Sequence, residues 1–325
     1  MVDFCCKYCG STNIVRYGRE NAVQYYWCKD CHRKFADNDA LPDMKTPILQ
    51  VAAALNMYYS GMSIDEIRRH LDQQYNNLPS SSTIYDWICR FSDEADRKTR
   101  DYKPNVGYVW LADETVLPIG GKKVWFWDLI DVKTRFLLAS HMSFNRTTQH
   151  AQTLVEKAVS KAGKSPKIII TDKLAAYLDG IELALGGEGR HVQSRGFTLK
   201  PNTNIIERFH GILKSRTKVM RGLKTPESAL LFLDGWLAYY NFFRPHESLG
   251  NKTPAEKAGL NIPLKNWLDV VKASRGSKRY TSLYPREKVI LGVPGKYNIR
   301  RKKRHPMPRP RKEVMPTVSI VRLAK

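Results

Sequence analysis

The sequence predicts an α/β protein: a mixed five-stranded sheet with helices, preceded by a small cysteine-bearing β unit and a helical segment. Three observations carry this expectation. Five of the six cysteines fall within residues 1–36. Between residues 44 and 103, apolar residues recur at helical spacing behind polar starts. From Val106 onward, short β-branched and aromatic runs alternate with helical patterns.

Within the first segment, Cys6-x2-Cys9 is followed, after an 18-residue gap, by Cys28-x2-Cys31. This is zinc-ribbon spacing, in which each CxxC knuckle aims two thiolates at one tetrahedral ion. Asn13–Tyr17 and Gln24–Trp27 are β-prone runs split by Gly18-Arg19-Glu20-Asn21, which reads as a hairpin. So small a unit, residues 1–36, needs one structural Zn²⁺ as its core. Cys5-x3-Cys9 is a geometrically possible alternative, but Cys6 makes the two knuckles symmetrical. A redox pair or idle thiols is the competing reading. Arg16, Arg19, Lys29, Arg33 and Lys34 surround the ribbon and suit contact with DNA phosphates; scaffolding or subunit contact is the alternative.

After a polar linker, residues 44–103 carry three helical patterns. Ile48–Tyr59 is the first. Gly61-Met62-Ser63 turns and caps Ile64–Leu71, and Ser80-Ser81-Ser82-Thr83 caps Ile84–Phe91. Helix, turn, helix with a polar start describes a helix-turn-helix, with Ser82 and Thr83 entering the major groove; a plain helical bundle is the alternative. Cys89 lies on an apolar face and reads as core.

Asp93–Lys103 is a charged continuation, and Pro104-Asn105 marks a boundary. Tyr108–Asp113, Lys123–Val132 and Arg135–Met142 follow as strands whose short connections imply antiparallel neighbours. Thr147–Ala162 is helical, Lys167–Asp172 a buried strand, Ala175–Leu185 helical and His191–Ser194 a short edge strand. The amphipathic stretch beginning at Asn204 and the long helix Ser228–Phe243 complete residues 106–260. Three antiparallel strands, then helix–strand–helix–strand, then helices, is the order of a ribonuclease-H-like core.

That order places Asp113 on the first strand and Asp172 at the end of the fourth, beside it. On the Asn204 stretch, Ile206, Phe209 and Leu213 line an apolar face, while Glu207, His210 and Lys214 line a polar one. Two strand carboxylates and one helix carboxylate supply the anionic ligands that a two-metal phosphoryl-transfer site requires. Glu114 follows Asp113 and points to the other sheet face, so it is left out of the metal site. Asp131 ends its strand before Lys133-Thr134 and suits a turn; Asp128 is a second competing carboxylate.

These residues also resemble the DDE transposases of prokaryotic insertion sequences, within the retroviral-integrase-like superfamily. The pieces occur in order: Ala112-Asp113-Glu114-Thr115; Gly121-Lys122 ahead of an aromatic strand ending Leu129-Ile130-Asp131; Thr171-Asp172-Lys173 with Ala176-Tyr177; Asn204-x2-Glu207-Arg208-x-His210 with Lys214; and Tyr240-Asn241-x2-Arg244-Pro245-His246 before Thr253-Pro254-Ala255. The 34 residues between Asp172 and Glu207 resemble the group that moves replicatively. The likeness runs from Val106 to Gly259, and the terminal segments depart from that group's compact form. It implies that Asp113, Asp172 and Glu207 hold two Mg²⁺ (or Mn²⁺) ions, that water and then a 3′-hydroxyl attack DNA in turn, and that the protein acts as a homodimer or larger assembly. No covalent intermediate is needed, so Tyr177 and Tyr240 read as packing or DNA-stacking residues. Lys214, then Lys173 and Arg208, are the candidate phosphate contacts, with solvated side chains as the alternative; His210 is a candidate to orient a water or to contact a DNA phosphate, with a satisfied helix histidine as the alternative.

The net charge of +23 agrees with a double-stranded DNA partner. Within the basic extension, residues 261–325, little helical or strand pattern occurs before the β-like runs Val289–Val293 and Thr317–Leu323. Its Arg300–Lys312 stretch carries eight Lys/Arg and no acid, and Arg300, Arg301, Lys302, Lys303 and Arg304 are expected on phosphates, with subunit contact or a solvated tail as the alternatives. No apolar run approaches the roughly 18 residues of a membrane span, and Met1–Cys6 lacks a signal-peptide core, so a cytoplasmic, nucleoid-associated protein is expected. A DNA-binding regulator with an inert core, and a ribonuclease-H-like nuclease without strand transfer, are the competing functions.

Overall fold

The computed structural model describes residues 4–21, 23–194, 204–219, 223 and 225–274. The chain divides into two units, Met1–Gly292 and Val293–Lys325, and the description concerns the first. Arg300, Arg301, Lys302, Lys303 and Arg304 lie outside the described residues, as do Val289–Val293 and Thr317–Leu323.

Strands β1 (Ile14–Glu20), β2 (Val23–Cys28) and β3 (Lys34–Ala36) form an antiparallel sheet in that order. The strands run further than expected. Gly18 is not in the turn but beside a register slip between Arg16 and Gly18, where its φ of +132° is open only to glycine. Asn21, at φ +48°, turns the chain instead. The buried cluster of this unit is Cys6, Cys28 and Phe35, too little apolar surface to hold a fold by itself.

Helices α1 (Ile48–Ser60), α2 (Ile64–Tyr75) and α3 (Ser81–Thr99) follow. A reciprocal cap opens α2: Glu66 N–H donates to Ser63 Oγ and Ser63 N–H to Glu66 Oε2, at 3.3 and 2.7 Å. This helix runs past Leu71 to Tyr75, where Asn76 adopts the left-handed conformation. Ser80 caps α3 by accepting from Thr83 N–H at 3.1 Å.

The second sheet comprises β4 (Val109–Ile119), β5 (Lys122–Asp131), β6 (Leu137–Ser143), β7 (Ile168–Thr171) and β8 (Arg190–Gln193), in the order β6-β5-β4-β7-β8. The first three pair antiparallel, and β7 and β8 join β4 in parallel. Helix α4 (Thr148–Ala162) leads into β7, and α5 (Ala176–Leu185) joins β7 to β8. This is the mixed five-stranded sheet and strand order of a ribonuclease-H-like core. Helices α4 and α5 approach so closely that a methyl on Gly180 would meet Ala151 Cβ at 2.7 Å and Thr148 O at 2.8 Å.

Alternation along β4 and β5 divides the sheet's residues between two cores. Trp110, Ala112, Trp127 and Leu129 pack with α4 and α5. Leu111, Leu117, Phe126 and Ile130 belong to the other core, with Ile206, Phe209 and Leu213 of α6 (Asn204–Val219) and Phe232, Leu233 and Trp236 of α7 (Pro226–Ala238). That second core continues without a break into Leu55, Tyr58 and Tyr59 of α1 and Ile84, Ile88 and Phe91 of α3. The helical segment and the five-stranded sheet thus share apolar interior.

Beyond α7 the chain makes a π turn (Tyr239–Phe243), a 3₁₀ turn (Glu247–Leu249), the short α8 (Pro254–Lys257) and α9 (Trp267–Ala273). The sequence reading missed α9. With two turns it offers little periodicity, and it is held by packing: the Trp267 ring stacks on Tyr59 of α1 at 4.9 Å. Among the described residues, no helix is long and apolar enough to cross a membrane.

Candidate active site

The parallel ladder between β4 and β7 ends at Leu111↔Ile170. Past that point β4 runs on to Ile119, while β7 stops at Thr171 and delivers Asp172 beside it. Successive side chains of β4 belong to opposite faces, yet at such a boundary both can reach round to Asp172. Ligand atoms of Asp113, Glu114 and Asp172 lie within 4.8 Å of one another. Glu114, left out of the metal site on strand alternation, thus stands within reach of the pair among the described residues. Glu207 sits half-buried on α6, one turn before His210.

Glu114 does face the other side of the sheet, as expected from strand alternation. Tyr177 OH donates to its Oε2 at 3.1 Å and Arg146 Nη1 to its Oε1 at 3.3 Å. Arg146 in turn lies over the Trp125 ring at 4.0 Å. Burial first, then the charges of Asp172 and Asp113, raise the Glu114 carboxyl above its ordinary range. Asp172 is raised as well, by burial and then by Asp113, although Leu174 N–H donates to its Oδ1 at 3.0 Å and opposes the shift. Crowded, partly desolvated carboxylates of this kind are relieved by a hard divalent cation, and their all-oxygen donor set fits Mg²⁺ or Mn²⁺.

On the α6 side a second acid comes into play. The ladders align Asp113 with Asp128 on β5, and Asp128 with Ser140 on β6. Asp128 is fully buried. Ser140 Oγ donates to its Oδ1, and His210 Nε2 lies 3.1 Å from its Oδ2. His210 Nδ1 lies 3.4 Å from Asp113 Oδ2. Burial works against a charge on His210, but the hydrogen bonds and charges of Asp113 and Asp128 outweigh it and lift its pKa to about 9. His210 is 5% exposed, so the expectation of a DNA contact is corrected: its ring is enclosed between two acids and faces no open surface. The sequence held one signal for Asp128, a lone carboxylate inside the apolar run Trp125–Ile130, where an unpaired acid is not tolerated.

Asp131, by contrast, is the turn residue expected. Its carboxylate accepts from Gly107 N–H at 3.0 Å and from Thr134 N–H and Oγ1 at 2.8 and 2.6 Å. Tyr177 and Tyr240 are both buried, which leaves packing and removes DNA stacking. Tyr240 meets Phe209 edge-on at 4.9 Å. The neighbouring Asn241 clamps β6, accepting from Leu137 N–H at 2.9 Å and donating to Leu137 O at 3.0 Å. Together they seat α6 over the acids.

Lys173, Arg208 and Lys214 are exposed, the last two on α6 itself. Ser82 is exposed and Thr83 half-buried in the first turn of α3, each hydroxyl 2.8 Å from Ser80 Oγ. In the ribbon, Cys6, Cys9, Cys28 and Cys31 converge, with Sγ separations of 3.6 Å for Cys6–Cys31 and 3.5 Å for Cys9–Cys28. Four sulfurs at about 2.3 Å from one ion stand about 3.8 Å apart, so the set is compatible with zinc. The backbone amide of Cys31 draws the Cys28 thiol down to about 7, while burial pushes the Cys31 thiol up to about 12. Cys5 is exposed and outside the cluster.

Residues 107–246 match a family model described as a DDE domain, of the IS240 transposase type. The chain is 26% identical over 191 residues to the uncharacterised protein MJ0017 of Methanocaldococcus jannaschii, covering 58% of this chain and 81% of that one. Among solved structures, the catalytic core of HTLV-2 integrase in complex with magnesium (trimeric form) overlaps 49% of this chain and 99% of its own, at 18% identity and a TM-score of 0.38. The catalytic core of BIV integrase overlaps 47% and 93%, at 18% identity and a TM-score of 0.37. At such values the fold rests on the strand order itself.

Proposed function

With a DDE domain at residues 107–246 as the premise, we propose that the protein is the transposase of an insertion sequence, binding the element's terminal inverted repeats, cutting their 3′ ends and joining them to target DNA. The domain makes the chain a polynucleotidyl transferase that uses divalent metal. The observation that carries the reading further is the convergence of Asp113, Glu114 and Asp172 to within 4.8 Å at the end of β7.

Asp113 and Asp172 are the proposed metal ligands, with Glu207 arriving from α6 and Glu114 beside them. Bound there, two cations would stabilise the attacking and leaving oxygens of an in-line displacement at phosphorus. The chain's own part is to hold the acids on a rigid sheet. Arg146 and Tyr177 steady Glu114, and the backbone of Leu174 steadies Asp172. Lys173, next to Asp172, and Arg208 and Lys214 on α6, all exposed, are proposed to grip the phosphate backbone. The ribbon, one Zn²⁺ in its four thiolates, and the first turn of α3 at Ser82 and Thr83 are proposed to bind the element ends. The protein is proposed to work as a dimer or larger assembly on two ends at once.

The test is cleavage and joining of labelled DNA carrying the flanking inverted repeats, with and without Mg²⁺. Wild type should cut and join only with metal, and Asp172→Asn should do neither while still binding the repeats. Full cleavage by Asp172→Asn would remove the reading. Comparing Glu207→Gln with Glu114→Gln decides which acid is the third ligand: the one whose loss abolishes cutting. Cutting without joining would make the protein a nuclease, and binding without cutting a regulator.

A further inference from the structure

Asp128 is an acid in the middle of an apolar strand, fully shielded from water. Burying a carboxylate costs several kcal/mol unless it is paired, so a chain that keeps one there pairs it. Both partners come from elements that meet at the site already described. Ser140 donates from the adjacent strand, and His210 from the helix above, its Nε2 3.1 Å away.

The arrangement is a row. Asp113, Asp128 and Ser140 are successive cross-strand partners on β4, β5 and β6, and cross-strand partners share one face of the sheet. His210 spans the row from above, with one ring nitrogen on Asp128 and the other 3.4 Å from Asp113 Oδ2. Both nitrogens belong to one rigid ring, so tying one to a buried, immobile acid fixes where the other points. Asp113 therefore has one oxygen held at a set place. Glu114 and Asp172 have their own holders in Tyr177, Arg146 and Leu174.

We propose that Asp128 is a positioning residue, acting through His210 and braced by Ser140, which orients the Asp113 carboxylate for the divalent cation. This rests on the metal-site reading above. Groups that orient a ligand contribute about 10–100-fold to metal affinity or activity when removed. A pair that served the fold alone would change stability and leave metal affinity where it was.

The experiment uses the zinc-loaded full chain and measures Mn²⁺ binding by calorimetry without DNA, then the Mn²⁺ dependence of cleavage. Asp128→Asn keeps the shape of the side chain and removes its charge. It should weaken Mn²⁺ binding by about 10-fold or more, and raise the Mn²⁺ concentration for half-maximal cleavage by the same factor. The rate at saturating Mn²⁺ should largely recover. Ser140→Ala removes only the brace and should shift both readouts in the same direction by less. It also decides the matter should Asp128→Asn fail to fold. Unchanged Mn²⁺ affinity in the folded variants, with Asp172→Asn losing it, would overturn the positioning role alone. Equal Mn²⁺ binding by wild type and Asp172→Asn would overturn the metal site and the proposal with it.

Discussion

Among the described residues the protein carries two clusters able to hold a metal, and they are built in opposite ways. In the ribbon, four cysteines from two short knuckles converge, and the buried apolar residues beside them are few. In the catalytic sheet, three acids meet on top of two extensive apolar cores. Four thiolates would close on one ion and leave it no free position, which suits a structural role. The acids stand at the open end of a strand, where phosphate oxygens and water can complete the shell. A metal held by the first cluster would make the fold; in the second the fold itself brings the acids together.

Chelation should separate them most sharply. Stripping metal with a strong chelator, or Cys28→Ser, is expected to unfold residues 4–36 outright, with protease cutting inside the ribbon. The melting of the catalytic core should stay within about 1 kcal/mol of wild type, a surface-size effect. Melting of both units together would show that the ribbon is part of the core's stability.

Acid provides the next largest effect. Burial holds His141 down at about 3 and His246 at about 4. Since the unfolded chain takes up those protons nearer pH 6.5, their contribution is whole above that value. It is lost as pH falls toward 4 and then 3. For His141 the loss is on the order of a few kcal/mol, at about 1.4 kcal/mol for each unit. His141→Gln should flatten the fall in core stability between pH 6 and 4, followed by urea titration. An unchanged slope would place the acid sensitivity elsewhere.

The smallest effect concerns packing. Gly180→Ala gains about 1 kcal/mol of helix propensity, yet the new methyl would meet Thr148 O at 2.8 Å. Forcing α5 off α4 costs about 1–3 kcal/mol, so a net loss of up to about 2 kcal/mol is expected in urea, with the ribbon untouched. A gain in stability would mean that the helices part without strain.

Most elements of the catalytic sheet, and the two metal-capable regions, were legible from pattern. Helix α9 was not, because two turns give almost no periodicity and its stability comes from Trp267 on Tyr59. Nor was the shared core. The apolar faces of α1 and α3 announce that they are buried, but nothing in their spacing says that Phe232 and Trp236 of α7 lie in the same interior.

What the sequence by itself determined is what depends on neighbours along the chain. The four ribbon thiolates follow from two CxxC spacings, because a knuckle is set by a few adjacent dihedrals. Strands carrying Asp113 and leading into Asp172 follow from runs of apolar residues, because alternation is local, although the first was expected to end at Asp113 and runs on to Ile119. Only the tertiary structure decided which acids meet. Glu114 joins Asp113 and Asp172 because β7 stops at Thr171 while β4 continues, and Asp128 stands behind Asp113 because of the register between β4 and β5. Register and strand ends are settled between segments far apart in the chain. The same principle turned His210 from an expected DNA contact into an enclosed bridge: its helix face was legible, but the two acids beneath it were not.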